Sequence, residues 1–135
     1  MNVTIAIDIM GGDRGPHVFL DAIKKILINY DTVSIIICGT ETSLRSFSSA
    51  LAPYSQRISF EVCEQVVEMA DKPALAIRQK KQSSMRKALD LTQENIAQAC
   101  VSAGNTGALM AVSRFVLKML PGIDRPAIIS ALPTL

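Results

Sequence analysis

The stretch VSAGNTGALMA, residues 101–111, lies between two apolar runs and interrupts them with Ser102, Gly104, Asn105, Thr106 and Gly107. Upstream, ACVSA (99–103) has the makeup of a short strand. Downstream, residues 105–120 carry apolar side chains at helical spacing and are closed by Pro121 and Gly122. The stretch is therefore predicted to be the turn from a strand into a helix.

The rest of the chain repeats that order. Val3, Ile5, Ile7 and Ile9 alternate at strand spacing and stop at Gly11 and Gly12. Pro16 fits a first helical position, and Phe19, Ala22, Ile23, Ile26, Leu27 and Tyr30 follow as a helical stripe. VSIIICG (33–39) reads as a strand buried on both faces, residues 42–52 as a short helix and ISFEV (58–62) as a third strand. Ser83 or Ser84 can cap a helix running to about Asn95, with Met85, Leu89 and Thr92 on one side. After the helix of 105–120, AIISAL begins a fifth strand. Such alternation with short connections predicts an α/β fold, an open and mostly parallel sheet with helices on both faces.

Composition sets the limits. With 135 residues, 49% hydrophobic and 19% charged, the chain can bury one sizeable core, so one domain is expected. Tryptophan is missing, which leaves Ile, Leu, Val, Ala and Met to build that core. A net charge of +2 makes no case for nucleic acid. Cys38, Cys63 and Cys100 lie far apart in or beside apolar runs, the setting of buried reduced thiols rather than of a metal site or disulfide. The start MNVTIAIDIMGGD has no basic region or cleavage site, and no apolar run reaches the ~18 residues of a membrane span. A soluble cytosolic protein is expected.

In open α/β sheets, ligands bind beyond the carboxyl ends of the strands, which selects MGGD and SAGNTG. A helix beginning at Asn105 or Thr106 presents unpaired N–H groups and a positive dipole end, a setting that favours an anion. Gly104 and Gly107 would let the backbone approach it, and Ser102, Asn105 and Thr106 would add side-chain donors. The same spacing also fits a tight turn with an ordinary Asn or Thr cap. In MGGD, Gly11 and Gly12 indicate a sharp turn flanked by Asp8 and Asp13. Asp13 either caps the next helix or orients a cationic or hydroxyl partner. His17, the single histidine, reads as a solvated first-turn residue, with no partner at triad spacing. Neither G-x-x-x-x-G-K-[ST] nor a G-x-G-x-x-G after the first strand occurs, which disfavours the common nucleotide folds.

Charge gathers between Lys72 and Lys87, where Lys72, Arg78, Lys80, Lys81, Arg86 and Lys87 stand without an acidic residue. Such a run is either a solvated face or, beside an anion site, a region that favours phosphate and steers an acidic partner. Arg114 and Lys118 lie one turn apart in the helix of 105–120, whose apolar face is expected to cover the sheet rather than a lipid surface.

Four blocks, IAIDIMGGDRGP, ADKPALAIRQKKQSSMRKALDL, ACVSAGNTGALMA and LPGIDRPA, resemble in order the blocks of the PlsX family, the bacterial phosphate acyltransferases of phospholipid synthesis. The resemblance implies a three-layer αβα fold like that of phosphotransacetylase and isocitrate dehydrogenase. It also implies transfer of a fatty acyl group from acyl carrier protein to inorganic phosphate, with no cofactor and no metal. A homodimer touching the inner face of the membrane is implied as well. Matching positions are Asp8, Gly11, Gly12, Asp13, Lys80, Lys81, Ser83, Ser84, Ser102, Gly104, Asn105, Thr106, Gly107, Arg125 and Pro126. On this basis Gly11, Gly12, Asp13, Ser102, Gly104, Thr106, Gly107 and Arg125 are expected to bind phosphate, Asn105, Lys80 and Lys81 to act in catalysis, and residues 72–87 to meet the acidic carrier protein. Members of that family are more than twice this length. Residues 1–135 are thus expected to be the N-terminal part of one acyltransferase domain, with the sheet incomplete and the membrane contact in the missing part. A coenzyme A-dependent enzyme of the same fold and a non-catalytic anion-binding or assembly module are the alternatives.

Overall fold

The computed structural model describes residues 2–132. In chain order the elements are β1 (Val3–Asp8), α1 (His17–Asn29), β2 (Val33–Gly39), α2 (Glu41–Ala50), a 3-10 turn (Ala52–Arg57), β3 (Ile58–Val62), α3 (Pro73–Gln79), α4 (Ser84–Gln93), β4 (Ala99–Ser102) and α5 (Thr106–Leu117). All pairings are parallel, and the strand order is β3-β2-β1-β4. The chain winds outward from β1 to β3, then reverses and lays β4 on the other side of β1. That reversal makes the carboxyl ends of β1 and β4 the topological switch point, where α/β sheets open a crevice.

Strand periodicity separates two cores. Ile7, Ile9, Ile35 and Ile37 point to one face, where Ile23 and Leu27 of α1 and Leu44 and Phe47 of α2 cover them. Ala6, Ile36 and Cys38 point to the other, where they meet Ala88 of α4 together with Cys63 and Ala97. Alanines on both sides of that contact let α4 lie close to the sheet. Ser83 begins α4 as expected, its Oγ accepting from the Arg86 N–H at 3.3 Å.

One helix was not foreseen, and three expectations are corrected. Residues 73–79 form a helix, α3, that begins with Pro73 and lies within the basic run. Helix α5 ends at Leu117, three residues before the expected stop, because Lys118 turns to φ 67°. Its buried stripe, Ala108, Val112 and Val116, packs with Ala76, Met85 and Leu89 of α3 and α4, so α5 covers helices rather than the sheet. Finally, residues 127–132 form no strand. Ile128, Ile129 and Leu132 are 70%, 92% and 81% exposed, and a strand without a ladder partner or a face to bury has nothing to hold it.

Candidate anion-binding site

At the switch point Asp8 and Ser102 stand side by side as the last residues of β1 and β4. The Ser102 Oγ donates to the Asp8 Oδ2 at 2.7 Å and accepts from the Gly104 N–H at 3.1 Å. The Asp8 Oδ1 accepts from the Met10 N–H at 3.1 Å. A carboxylate only 2% exposed survives burial because these donors replace water, and they tie both strand-to-helix turns to one group.

The two turns touch through glycine. A Cβ on Gly11 would stand 2.5 Å from the Gly104 nitrogen and closer still to its Cα, so the backbones meet where no side chain fits. Gly12 takes φ +96°, a conformation that suits glycine. Part of the small-residue pattern is thus explained by chain packing against chain.

Asn105 is the N-cap of α5, its Oδ1 accepting from the Ala108 N–H at 3.0 Å. Its Nδ2 donates backward to the carbonyls of Glu68, Met69 and Asp71, at 3.3, 3.1 and 2.9 Å. The same strap is held from its other side by Lys80, whose Nζ lies 2.5 Å from the Asp71 Oδ2 and donates to the Val66 carbonyl at 2.7 Å. The Lys80 ammonium first, and then the Glu68 N–H, hold the Asp71 carboxyl below its ordinary range. Asn105 and Lys80, both expected in catalysis, have their donors directed to protein acceptors. The Thr106 and Gly107 amides have no protein acceptor among the described residues.

A concavity of about 290 Å³ opens beside the first turn, lined by Gly11, Gly12, Asp13, Arg14, Gly15, Val18, Met69 and Ala103. Of the expected residues, it brings together Gly11, Gly12 and Asp13. Lys81 and Arg125 are exposed and do not line it; Arg125 precedes Pro126, which joins Gly107 and Arg114 around a separate recess between α3 and α5. Arg14 and Met69 were missed by sequence reasoning. Arg14 had a signal, its place directly after the glycine turn, whereas Met69 reaches the site only through the strap. His17 is exposed in the first turn of α1, as expected.

All three cysteines are free thiols. Burial pushes Cys63 and Cys100 up to about 12 and Cys38 further in the same direction, so none is prepared as a nucleophile. Among the described residues no cluster of three metal-ligating side chains occurs, and no helix is long and apolar enough to cross a membrane.

Sheet order, helices on both faces and paired glycine turns at the reversal define a doubly wound α/β protein with a binding crevice at its switch point. The chain belongs to the family described as fatty acid synthesis protein, whose model matches residues 3–135. It is similar to the proteins named phosphate acyltransferase of Hydrogenovibrio crunogenus (50% identical over 135 residues, all of this chain and 40% of the relative) and Nitrosococcus oceani (51% over 136 residues, again all of this chain and 40% of the relative). That of Methylococcus capsulatus is 49% identical over 133 residues, 98% of this chain and 39% of the relative. The chain spans about 40% of the length of these curated relatives.

Proposed function

We propose that this chain forms the phosphate-binding portion of a phosphate acyltransferase, which moves a fatty acyl group from acyl carrier protein to inorganic phosphate. The observation that supports this most is the switch-point junction: two glycine turns joined through Asp8 and Ser102, with Arg14 at the first and the unengaged Thr106 and Gly107 amides at the second. In this reading a phosphate oxygen attacks the thioester carbonyl carbon, the C–S bond breaks, and the departing thiolate takes a proton from solvent. Phosphate is itself the nucleophile, so the protein supplies position and charge stabilisation, and thiols held protonated by burial suit that division of labour. Arg14 and the backbone amides offset the negative charge, with Lys81 and Arg125 available at the surface. Asn105 and Lys80 act as positioning residues, since they hold the strap that carries Met69.

Of the six cations in 72–87, Lys80, Arg86 and Lys87 face Asp71, Asp90 and Glu61. Lys72, Arg78 and Lys81 are left exposed, and they are the groups proposed to meet the acidic carrier protein. On the family resemblance, the enzyme works as a cytoplasmic homodimer at the inner membrane face.

Calorimetric titration with inorganic phosphate, against chloride at matched ionic strength, tests the site. Thr106→Pro deletes one amide donor while keeping the helix, because proline is tolerated at the first helical position and Asn105, at φ −59° and ψ 108°, already suits a residue before proline. Phosphate should bind the native chain and bind Thr106→Pro roughly tenfold more weakly, the worth of one hydrogen bond to a charged group. Equal affinity in both, or no binding to either, refutes the reading.

A further inference from the structure

Ser102 has one hydroxyl proton, and it goes to the Asp8 Oδ2 at 2.7 Å. That leaves the oxygen as an acceptor, which takes the Gly104 N–H at 3.1 Å. The second oxygen of the carboxylate takes the Met10 N–H. Ser102 therefore has no proton left to offer phosphate, and the Asp8 carboxylate repels an anion, so neither side chain suits phosphate as a direct ligand. Asp8 is nevertheless buried, with no cation at salt-bridge distance among the described residues. For stability alone such a group is a poor choice, because an apolar side chain of the same size avoids its desolvation cost. What the carboxylate does is fix a hydroxyl rotor and, through it, the backbone of the turn that follows.

We propose that Asp8 and Ser102 are positioning residues for phosphate: they hold Gly104, and with it the Thr106 and Gly107 amides, in fixed relation to the turn that carries Arg14. The inference rests on the reading of the switch point as a phosphate site, and moves Ser102 from the ligands of that site to its support. Gly104 is hemmed in by three neighbours. A Cβ there would stand 3.2 Å from the Met85 Cε, 3.3 Å from the Ser102 Oγ and 3.4 Å from the Gly11 Cα. Only Asn105 separates Gly104 from the Thr106 amide, and Asn105 is itself held as the helix cap with its Nδ2 on the strap. A shift of Gly104 is thus carried directly into the donors of α5. In the other turn the bonded Met10 amide immediately precedes Gly11, so both turns take their position from one carboxylate. Donors held in place beforehand bind an anion without an ordering cost, and a misaligned donor loses most of its bond.

The test is a double-mutant cycle on inorganic phosphate affinity, measured by calorimetry on the 135-residue chain against chloride at matched ionic strength. Ser102→Ala should weaken phosphate roughly tenfold, the worth of one hydrogen bond to a charged group. In that background Thr106→Pro should cost no more than about twofold, against about tenfold in the native chain, because an amide already out of place has little left to lose. Losses that multiply to about a hundredfold are those of independent ligands, and they overturn the proposal. Unchanged affinity in Ser102→Ala overturns it too. Ser102→Thr keeps the hydroxyl and should restore affinity to within about twofold of native. If Ser102→Ala loses its cooperative urea transition, Ser102→Cys takes its place in the cycle, since the thiol fills the same space with a weak donor and acceptor, and the same non-additivity is expected. Asp8→Asn can accept from Met10 with its Oδ1 and donate to Ser102 with its Nδ2, so it should weaken phosphate by no more than about threefold. A loss of about tenfold or more there would show that the site needs the charge rather than the position it enforces, which also overturns the proposal. No phosphate binding to the native chain refutes the phosphate reading and this inference together, whereas binding with losses that multiply refutes this inference alone.

Discussion

Gly11 and Gly104 bring two backbones together so closely that Gly11→Ala must push one turn away from the other. The displaced group is main chain, which cannot swing aside as a side chain would, so the substitution should lower unfolding stability by about 1–3 kcal/mol in urea titration. Native stability would show that the turns separate in solution. Asp71 offers a second test at this scale. Its folded pKa lies below its ordinary 3.8, so the Lys80 pairing contributes stability that is present above pH 3.8 and lost as pH falls through the lower folded value. Carboxyl chemical shifts should place the Asp71 titration below 3.8, with Lys80→Met moving it upward. A native midpoint at or above 3.8 would mean that the strap is open. Asn105 shows how much a single residue's letter tells. Its role as a helix cap follows from its place before an apolar stripe. Its bonds to Glu68, Met69 and Asp71 join positions 34 to 37 residues apart, and no local spacing encodes them.

Among the elements, α3 is the one the periodic pattern conceals. It has seven residues and a single buried side chain, Ala76, so it offers too little stripe to stand out from the cations around it. Once formed, it fixes which of those cations stay exposed. Lys72 and Arg78, at its two ends, share a shallow recess with Leu75, while Arg86 and Lys87 on α4 are drawn to Asp90 and Glu61. The double variant Lys72→Glu, Arg78→Glu should therefore cut acyl carrier protein binding by at least about tenfold at low salt, mostly in the association rate. Lys87→Gln should change it far less. Equal losses, or none, measured by surface-immobilised carrier protein at two ionic strengths, would remove α3 from the docking surface. Helix α5 teaches a related point. Its amphipathic stripe is plain in the sequence, but whether the stripe meets a sheet or other helices depends on α4 already occupying the sheet face.

At the scale of the molecule, the core beneath α4 gathers all three thiols around one sheet face, with Cys38 and Cys63 buried and Cys100 packed at the margin. Burial raises Cys63 to about 12 against 9.0 for the unfolded thiol. Proton linkage then favours the native state fully below pH 9 and progressively less as pH rises toward 12, so unfolding should become easier across that window. Iodoacetamide at pH 8 should label Cys38 and Cys63 only at the rate of unfolding, followed by mass spectrometry with and without urea. Rapid labelling of native protein would show that the α4 layer does not seal the sheet. The four strands, the helices other than α3, the glycine turns and the caps at Ser83 and Asn105 could be read from the chain because each depends on neighbours within a few residues, through periodicity, backbone sterics and local hydrogen bonds. The reversal that sets β4 beside β1, the Asp8–Ser102 link and the strap held by Asn105 and Lys80 were decided by tertiary structure alone. They join residues dozens of positions apart, and only the closing of the sheet brings those residues within reach.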